Sequence, residues 1–244
     1  RAGTLGGCGF MHIYIKEKNE IYYIDYRSTS PLNSNLENIF DLVNTTDTPY
    51  EVVPKSFDDK KFDIVDTGYK ASAVPGTVAG LLDAHANFGN LKLKDILEPV
   101  IALAENGIQV SYDFHKAIES TPRLFSDPES QRIYFRDGKP IKEFSILKLP
   151  DLANTFKLIS KHGKDGFYKG ETAMRIVEAM NKNNGLIAIN DLKNYQADFR
   201  QPISTNYRGN KVFTAGPPSG GGITLLTALN ILSFYDLQKF KSSS

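Results

Sequence analysis

The apolar positions change period several times along the chain, and each change marks an element. Between residues 10 and 26, β-rich runs around Phe10, His12 and Tyr14 and around Ile21 and Tyr23 alternate between two faces, with the polar residues 16–20 between them. That pattern predicts a β-hairpin with its tip at 16–20. Pro31 halts the second strand, so Asp25-Tyr26-Arg27 falls where strand gives way to loop. The stretch 32–70 is polar, rich in Asn, Asp and Thr, and interrupted by Pro49 and Pro54. It reads as an extended loop with one short helix over 36–43.

Helical period begins at Pro75, read as a first helical position, with Val78, Leu81, Leu82 and His85 as the inward stripe and Gly89 as the stop. A second helix over 93–106 carries the stripe Ile96, Val100 and Leu103. Pro99 is expected to kink or restart it and Gly107 to close it in the αL conformation. Residues 111–124 read as a further helix, 132–135 as a short strand and Asp137-Gly138 as the turn after it. Pro150 opens a helix with Asp151 in its first turn, where negative charge suits the helix dipole, and with Leu152, Phe156 and Ile159 facing inward. Ala173, Ile176, Val177 and Met180 form the corresponding stripe after Gly170, ended by Asn184-Gly185. Residues 201–207 and 211–215 read as strands around Arg208-Gly209-Asn210, and 223–234 as a buried helix. Periodicity alone therefore gives a mixed α and β chain.

Composition narrows the class. With 244 residues, 41% hydrophobic and a net charge of +1, the chain is long enough for one substantial core and has no charge excess that points to nucleic acid. Its single cysteine, Cys8, excludes an internal disulfide and a cysteine-rich zinc site, and leaves a buried packing thiol, the commoner case, or a reactive one. His85 and His115 sit in helical stretches without a second ligand at metal spacing, and His12 and His162 fit no Ser-His-Asp order, so neither a metal nor a cofactor is expected. There is no apolar run of about 18 residues, hence no predicted transmembrane helix. The chain opens on Arg1-Ala2-Gly3 rather than methionine, which leaves room for a signal peptide ahead of it and leaves the compartment open.

Candidate chemistry centres on Arg27. A planar guanidinium matches a carboxylate bidentately, and strand ends are common places for function, so Arg27 is a candidate anchor for a substrate α-carboxylate. The plainer alternative is a surface arginine that meets only solvent. The turn over 217–222 offers backbone N–H groups at a helix start, but it lacks the lysine of a phosphate loop and reads as a close backbone approach.

The order of motifs carries more than any one of them. The chain shows Gly6-Gly7-Cys8-Gly9-Phe10, then Arg27-Ser28-Thr29-Ser30-Pro31, then Val74-Pro75-Gly76-Thr77-Val78-Ala79-Gly80-Leu81. Leu103-Ala104-Glu105-Asn106-Gly107-Ile108, Asp151-Leu152-Ala153-Asn154-Thr155 and Phe167-Tyr168-Lys169-Gly170 follow. Asn184-Gly185-Leu186-Ile187-Ala188 precedes Asp191-Leu192 and Tyr195, and after it come Tyr207-Arg208-Gly209, Pro217-Pro218-Ser219-Gly220-Gly221-Gly222 and Leu229-Asn230-Ile231-Leu232. In this order, over essentially the whole chain, the sequence resembles the large, amino-terminal part of γ-glutamyltransferases (γ-glutamyltranspeptidases). It departs from the family pattern where Cys8 replaces a glycine, Ser28 the acidic residue after the arginine, and Gly220 a second serine.

The resemblance implies an α+β fold of the amino-terminal-nucleophile hydrolase type, a four-layer αββα sandwich that is incomplete in this chain, with 1–244 as a partial large-subunit region. It implies a precursor that cleaves itself to expose a threonine at the start of a small subunit; that threonine, acting as nucleophile and through its α-amino group as base, lies outside this chain. No catalytic residue is expected within 1–244, and Arg27 is the expected substrate-binding residue. The implied partners are glutathione or another γ-glutamyl compound, an acceptor amino acid, peptide or water, and the small subunit. On its own the chain is expected to be inactive, with strand edges left open. Two alternatives remain: a cephalosporin or glutaryl acylase-like amidohydrolase, to which Ser28 points, and a non-catalytic remnant that only binds a ligand or partner.

Overall fold

The computed structural model describes residues 4–34 and 68–239. The short helix expected over 36–43 lies outside the described residues. Strands β1 (Gly9–Ile15) and β2 (Glu20–Tyr26) form the antiparallel hairpin read from the alternation, with Gly9 opposite Tyr26 and Ile15 opposite Glu20. His12 stands directly opposite Tyr23, and their rings stack at 4.8 Å and 7°. Tyr23, Ile24 and Asp25 are all buried because β2 is the central strand of a three-stranded sheet, whose third member is β7 (Asp198–Arg200). Alternation did not announce so short a strand.

Helix α1 (Thr77–Phe88) starts two residues later than the sequence suggests: Gly76 is the N-cap and Pro75 precedes it. Val78 is buried and Leu82 and His85 are half-buried, but Leu81 is exposed. Helix α2 (Leu93–Asn106) runs through Pro99 as one helix. Its expected stripe is wrong by one residue position: Ile96, Val100 and Leu103 are exposed, whereas Leu93, Leu97, Ile101 and Ala104 turn inward and the helix packs on α5, described below. Both stripes are apolar at helical spacing, so periodicity had no means of choosing between them. Gly107 ends α2 with φ +100° and ψ 157°, a positive φ outside the αL region.

The next segment departs most from the sequence reading. Strand β3 (Ile108–Gln109) leads to α3 (Tyr112–Glu119), which Ser111 caps by accepting the Phe114 N–H at 3.2 Å. The helix expected over 111–124 stops there, and Pro122 opens a separate 3-10 turn (Pro122–Ser126). The strand expected over 132–135 is instead mostly helix α4 (Pro128–Tyr134), set by Asp127 as a capping acceptor for the Ser130 N–H at 2.7 Å and by Pro128 in the first turn. Strands β4 (Phe135–Arg136) and β5 (Lys139–Pro140) close around Asp137-Gly138, both at positive φ, and β6 (Ile146–Leu147) pairs with β3. Val110, Ile118, Phe135, Ile141 and Leu147 form their own apolar cluster.

Helix α5 (Pro150–His162) has the inward face read from its sequence, with Ala153 and Ile159 buried and Leu152 and Phe156 half-buried. A short helix α6 (Asp165–Tyr168) follows, then α7 (Gly170–Lys182), whose Ala173 and Met180 are buried, and then α8 (Ile189–Asn194). These elements join Val74, Val78, Phe167, Tyr168, Leu192 and Tyr195 in the main core. Strands β8 (Ile203–Tyr207) and β9 (Asn210–Thr214) form a second hairpin, and α9 (Gly220–Leu232) packs on them. The expectation of a buried helix fails for α9: only Gly222 and Leu226 are buried, while Ile223, Leu225 and Ile231 are exposed. The helix is apolar all round, and among the described residues only one side is covered.

Candidate functional site

The loop that leaves β2 is tied down at nearly every backbone position. The Arg27 N–H donates to Asp25 Oδ1 at 3.0 Å, and the Arg27 carbonyl accepts from the Tyr195 hydroxyl at 2.7 Å. Thr29 and Val74 exchange two backbone hydrogen bonds at 3.3 and 2.9 Å. The Leu32 N–H donates to Asp191 Oδ1 at 2.8 Å, and the other oxygen of that buried carboxylate takes the Ala188 N–H at 2.7 Å. Each oxygen of Asp191 thus accepts one backbone N–H.

Beneath the loop, the glycine-rich turn and the start of α1 meet. The Gly76 and Thr77 N–H groups both donate to the Gly7 carbonyl, at 2.9 and 3.0 Å. A Cβ on Gly76 would lie 2.1 Å from both the Tyr195 hydroxyl oxygen and the Tyr26 carbonyl, so only glycine fits. Its φ is −109°, an ordinary value; the demand is for space and not for an unusual backbone angle. Tyr195 stacks on Tyr168 at 5.6 Å and 10°, and the Tyr168 hydroxyl donates to the Pro75 carbonyl at 2.8 Å while accepting the Ala79 N–H at 3.1 Å. Burial raises the pKa of both phenols well above the ordinary tyrosine value, so both stay neutral donors.

Arg27 itself is exposed, its Cζ 5.8 Å from the centroid of the Phe10 ring. Among the described residues no carboxylate forms an ion pair with it. The nearest acid in sequence, the buried Asp25, is paired with Arg200 at 3.0 Å, and Arg200 also donates to the Pro217 carbonyl at 2.7 Å. The arrangement leaves a fixed backbone that presents an uncommitted, planar double donor at the end of a strand.

Two of the three departures from the family pattern touch each other: Ser28 Oγ lies 3.6 Å from Cys8 Sγ. Burial, the largest single influence on this thiol, pushes its pKa up, but the Ser28 backbone N–H and hydroxyl together with the Arg27 charge outweigh it, and the net result is a lowered pKa. The third departure, Gly220, opens α9 just after Ser219, whose side chain caps the helix through the Gly222 N–H at 3.4 Å. His85 bonds the Leu91 carbonyl six residues on, and His115 bonds the Ile141 carbonyl beyond β5. Among the described residues no three His, Cys, Asp or Glu side chains converge as a metal site, and no helix is long and apolar enough to cross a membrane.

The structure thus places Arg27 at the predicted strand end and adds residues that sequence reading did not single out for a role: Asp25, Asp191, Tyr195, Tyr168 and Arg200. Asp191 and Tyr195 stand four apart at and just after α8, a spacing that puts them on one side of a helical turn. That spacing was the available signal.

A family model described as γ-glutamyltranspeptidase matches residues 1–244. The glutathione hydrolase proenzyme of Escherichia coli K12 is 34% identical over 242 residues, which cover 98% of this chain and 39% of the relative. An acylase proenzyme from Pseudomonas sp. SE83 is likewise 34% identical over 236 residues, covering 96% of this chain and 40% of the relative. Among solved structures, γ-glutamyltranspeptidase from Helicobacter pylori superposes with a TM-score of 0.87 at 33% identity, over all of this chain and 66% of that one. The enzyme from Pseudomonas nitroreducens gives 0.79 at 34% identity, over all of this chain and 68% of that one. The chain spans about two fifths of the length of these curated relatives. Its fold is that of amino-terminal-nucleophile hydrolases, and the chain belongs to the γ-glutamyltranspeptidase family.

Proposed function

We propose that this chain is the part of a γ-glutamyl transferase or hydrolase that holds the donor substrate by its α-carboxylate, with Arg27 as the anchor. The observation that carries this reading is the uncommitted Arg27 guanidinium at the end of β2, on a backbone fixed from residue 27 to residue 32, while the neighbouring Asp25 is held by Arg200. A bidentate pair would set both the position and the orientation of a glutamyl group. Relatives named glutathione hydrolase proenzymes support a γ-glutamyl compound such as glutathione as the donor.

In this reading the nucleophile is a threonine at the start of a small subunit, contributed by a segment outside residues 1–244. Its hydroxyl oxygen bonds to the γ-carbonyl carbon, its own α-amino group accepts the hydroxyl proton, and two backbone N–H groups hold the oxyanion. The C–N bond then breaks, the proton passes to the departing amine, and water or an acceptor amino acid or peptide releases the acyl group.

Arg27→Lys in the full-length gene product tests the anchor. Lysine keeps the charge and loses the fork, so the KM for L-γ-glutamyl-p-nitroanilide should rise by an amount equivalent to about 1.5 to 3 kcal/mol, with the melting temperature little changed. An unchanged KM removes Arg27 from the site. Turnover of glutaryl but not γ-glutamyl anilides would place the protein with the acylases, and no acyl release from either would leave it a binding protein.

A further inference from the structure

We infer that Tyr195 and Asp191 are positioning residues for the donor site: together they hold the 27–32 loop in the one conformation that presents Arg27 to a carboxylate. The inference rests on the reading of Arg27 as the anchor, and extends it to two residues that do not meet the substrate.

The bonds these side chains make go to loop backbone and not to the guanidinium. Tyr195 fixes the Arg27 carbonyl at 2.7 Å, and Asp191 fixes the Leu32 N–H at 2.8 Å, so the two grip the loop near its opposite ends. Each is itself immobilised. Tyr195 is buried, its ring stacks on Tyr168, and its hydroxyl stands against the place where a Gly76 side chain would be. Asp191 is buried, with its second oxygen on the Ala188 N–H. Pro31 has no N–H to give; the other backbone links of the loop are the Thr29–Val74 bridge, the Arg27 N–H on Asp25, the Ser28 N–H on the Cys8 thiol and the Ser34 N–H on the Pro31 carbonyl, and none of them holds the Arg27 carbonyl or the Leu32 N–H.

A guanidinium aligns both its bonds to a carboxylate only if the Cα from which it hangs stays in place. Displacement of the backbone by about an ångström would convert a bidentate pair into a single bond and cost affinity without touching the chemical step. The expected signature is therefore a change in KM that disappears when Arg27 is no longer able to form the fork.

Tyr195→Phe keeps the ring stack and removes only the hydroxyl. In the full-length gene product its KM for L-γ-glutamyl-p-nitroanilide should rise roughly three- to tenfold with kcat within about twofold of the parent. In an Arg27→Lys background the same substitution should add less than about twofold, because the two act through one contact. Hydrogen exchange at the Thr29 and Leu32 amides, which needs no substrate, should quicken roughly fivefold or more in Tyr195→Phe and in Asp191→Asn. If Arg27→Lys raises KM while Tyr195→Phe alters neither KM nor exchange, the positioning role is overturned and the anchor stands. If the two substitutions multiply fully, Tyr195 acts elsewhere and the inference also falls. If Arg27→Lys has no effect on KM, the anchor is wrong, and the exchange rates alone then decide whether the loop is clamped.

Discussion

Asp25 and Arg200 lie on neighbouring antiparallel strands two register positions apart, and their side chains meet at 3.0 Å on the diagonal. Directly opposite Asp25 stands Asp198, a second acid, so the diagonal arginine supplies the compensating charge for a carboxylate that is only 8% exposed. Because Arg200 takes this role, Asp25 is not drawn into an ion pair with Arg27, two residues further on. Arg200→Gln removes the charge and retains an amide donor. Arg200 is itself 42% exposed and partly screened, so the expected loss is about 1 to 2 kcal/mol, read as a lower denaturant midpoint at an unchanged slope.

Gly76→Val should destabilise the fold by about 1 to 3 kcal/mol or more through overpacking. One of the atoms a Cβ would strike, the Tyr26 carbonyl oxygen, belongs to the central strand, and the other is the Tyr195 hydroxyl. Thermal melting checks the loss. Gly76→Ala should show most of it, because the first carbon already collides; a melt equal to the parent would mean that the strand and the helix start do not approach this closely.

The Cys8 thiol should alkylate faster than an ordinary thiol at neutral pH, since its lowered pKa leaves more thiolate. Ser28→Ala removes one of the two Ser28 hydrogen bonds that lower that pKa, so the pH profile of the iodoacetamide reaction should shift to higher pH. The same sign governs stability. A thiol with a folded-state pKa below its unfolded one contributes stability above the unfolded value and loses it as pH falls through the folded one. A profile that does not move in Ser28→Ala would show that the hydroxyl leaves the thiolate unassisted.

Tyr168 and Tyr195 carry pKa values raised by burial, so the linkage runs the other way. Their contribution is complete below the unfolded tyrosine pKa of about 10 and fades as pH rises toward the folded values. Stability should therefore decline above about pH 10, and an ultraviolet titration should show a late, cooperative group of tyrosines that ionises together with unfolding. Tyr195→Phe should make the alkaline decline shallower. A smooth titration of every tyrosine near its ordinary value would mean that the stack is open to water.

What the sequence determined by itself was local. Alternation placed the β1–β2 hairpin, and the pairs Asp137-Gly138 and Arg208-Gly209 marked tight turns, where all four residues have positive φ. Ser111 and Pro150 marked helix starts. These features depend on a few consecutive residues, and so does the ordered motif string that carried the family. The misread segment was local too: Asp127-Pro128 is a cap followed by a first-turn proline, and these signals outweighed the β-like run 132–135.

Tertiary structure decided the rest, because it alone selects among faces that are equally apolar. It turned Leu97 and Ala104 of α2 inward in place of Val100 and Leu103, and left most of α9 uncovered among the described residues. It also assembled the site. Tyr195 and Arg27 are 168 residues apart, and Asp25 and Arg200 are 175 apart. No periodicity spans such distances; those bonds exist because the main core brings α8 and β7 against the hairpin, and burial then favours a partner for a polar group.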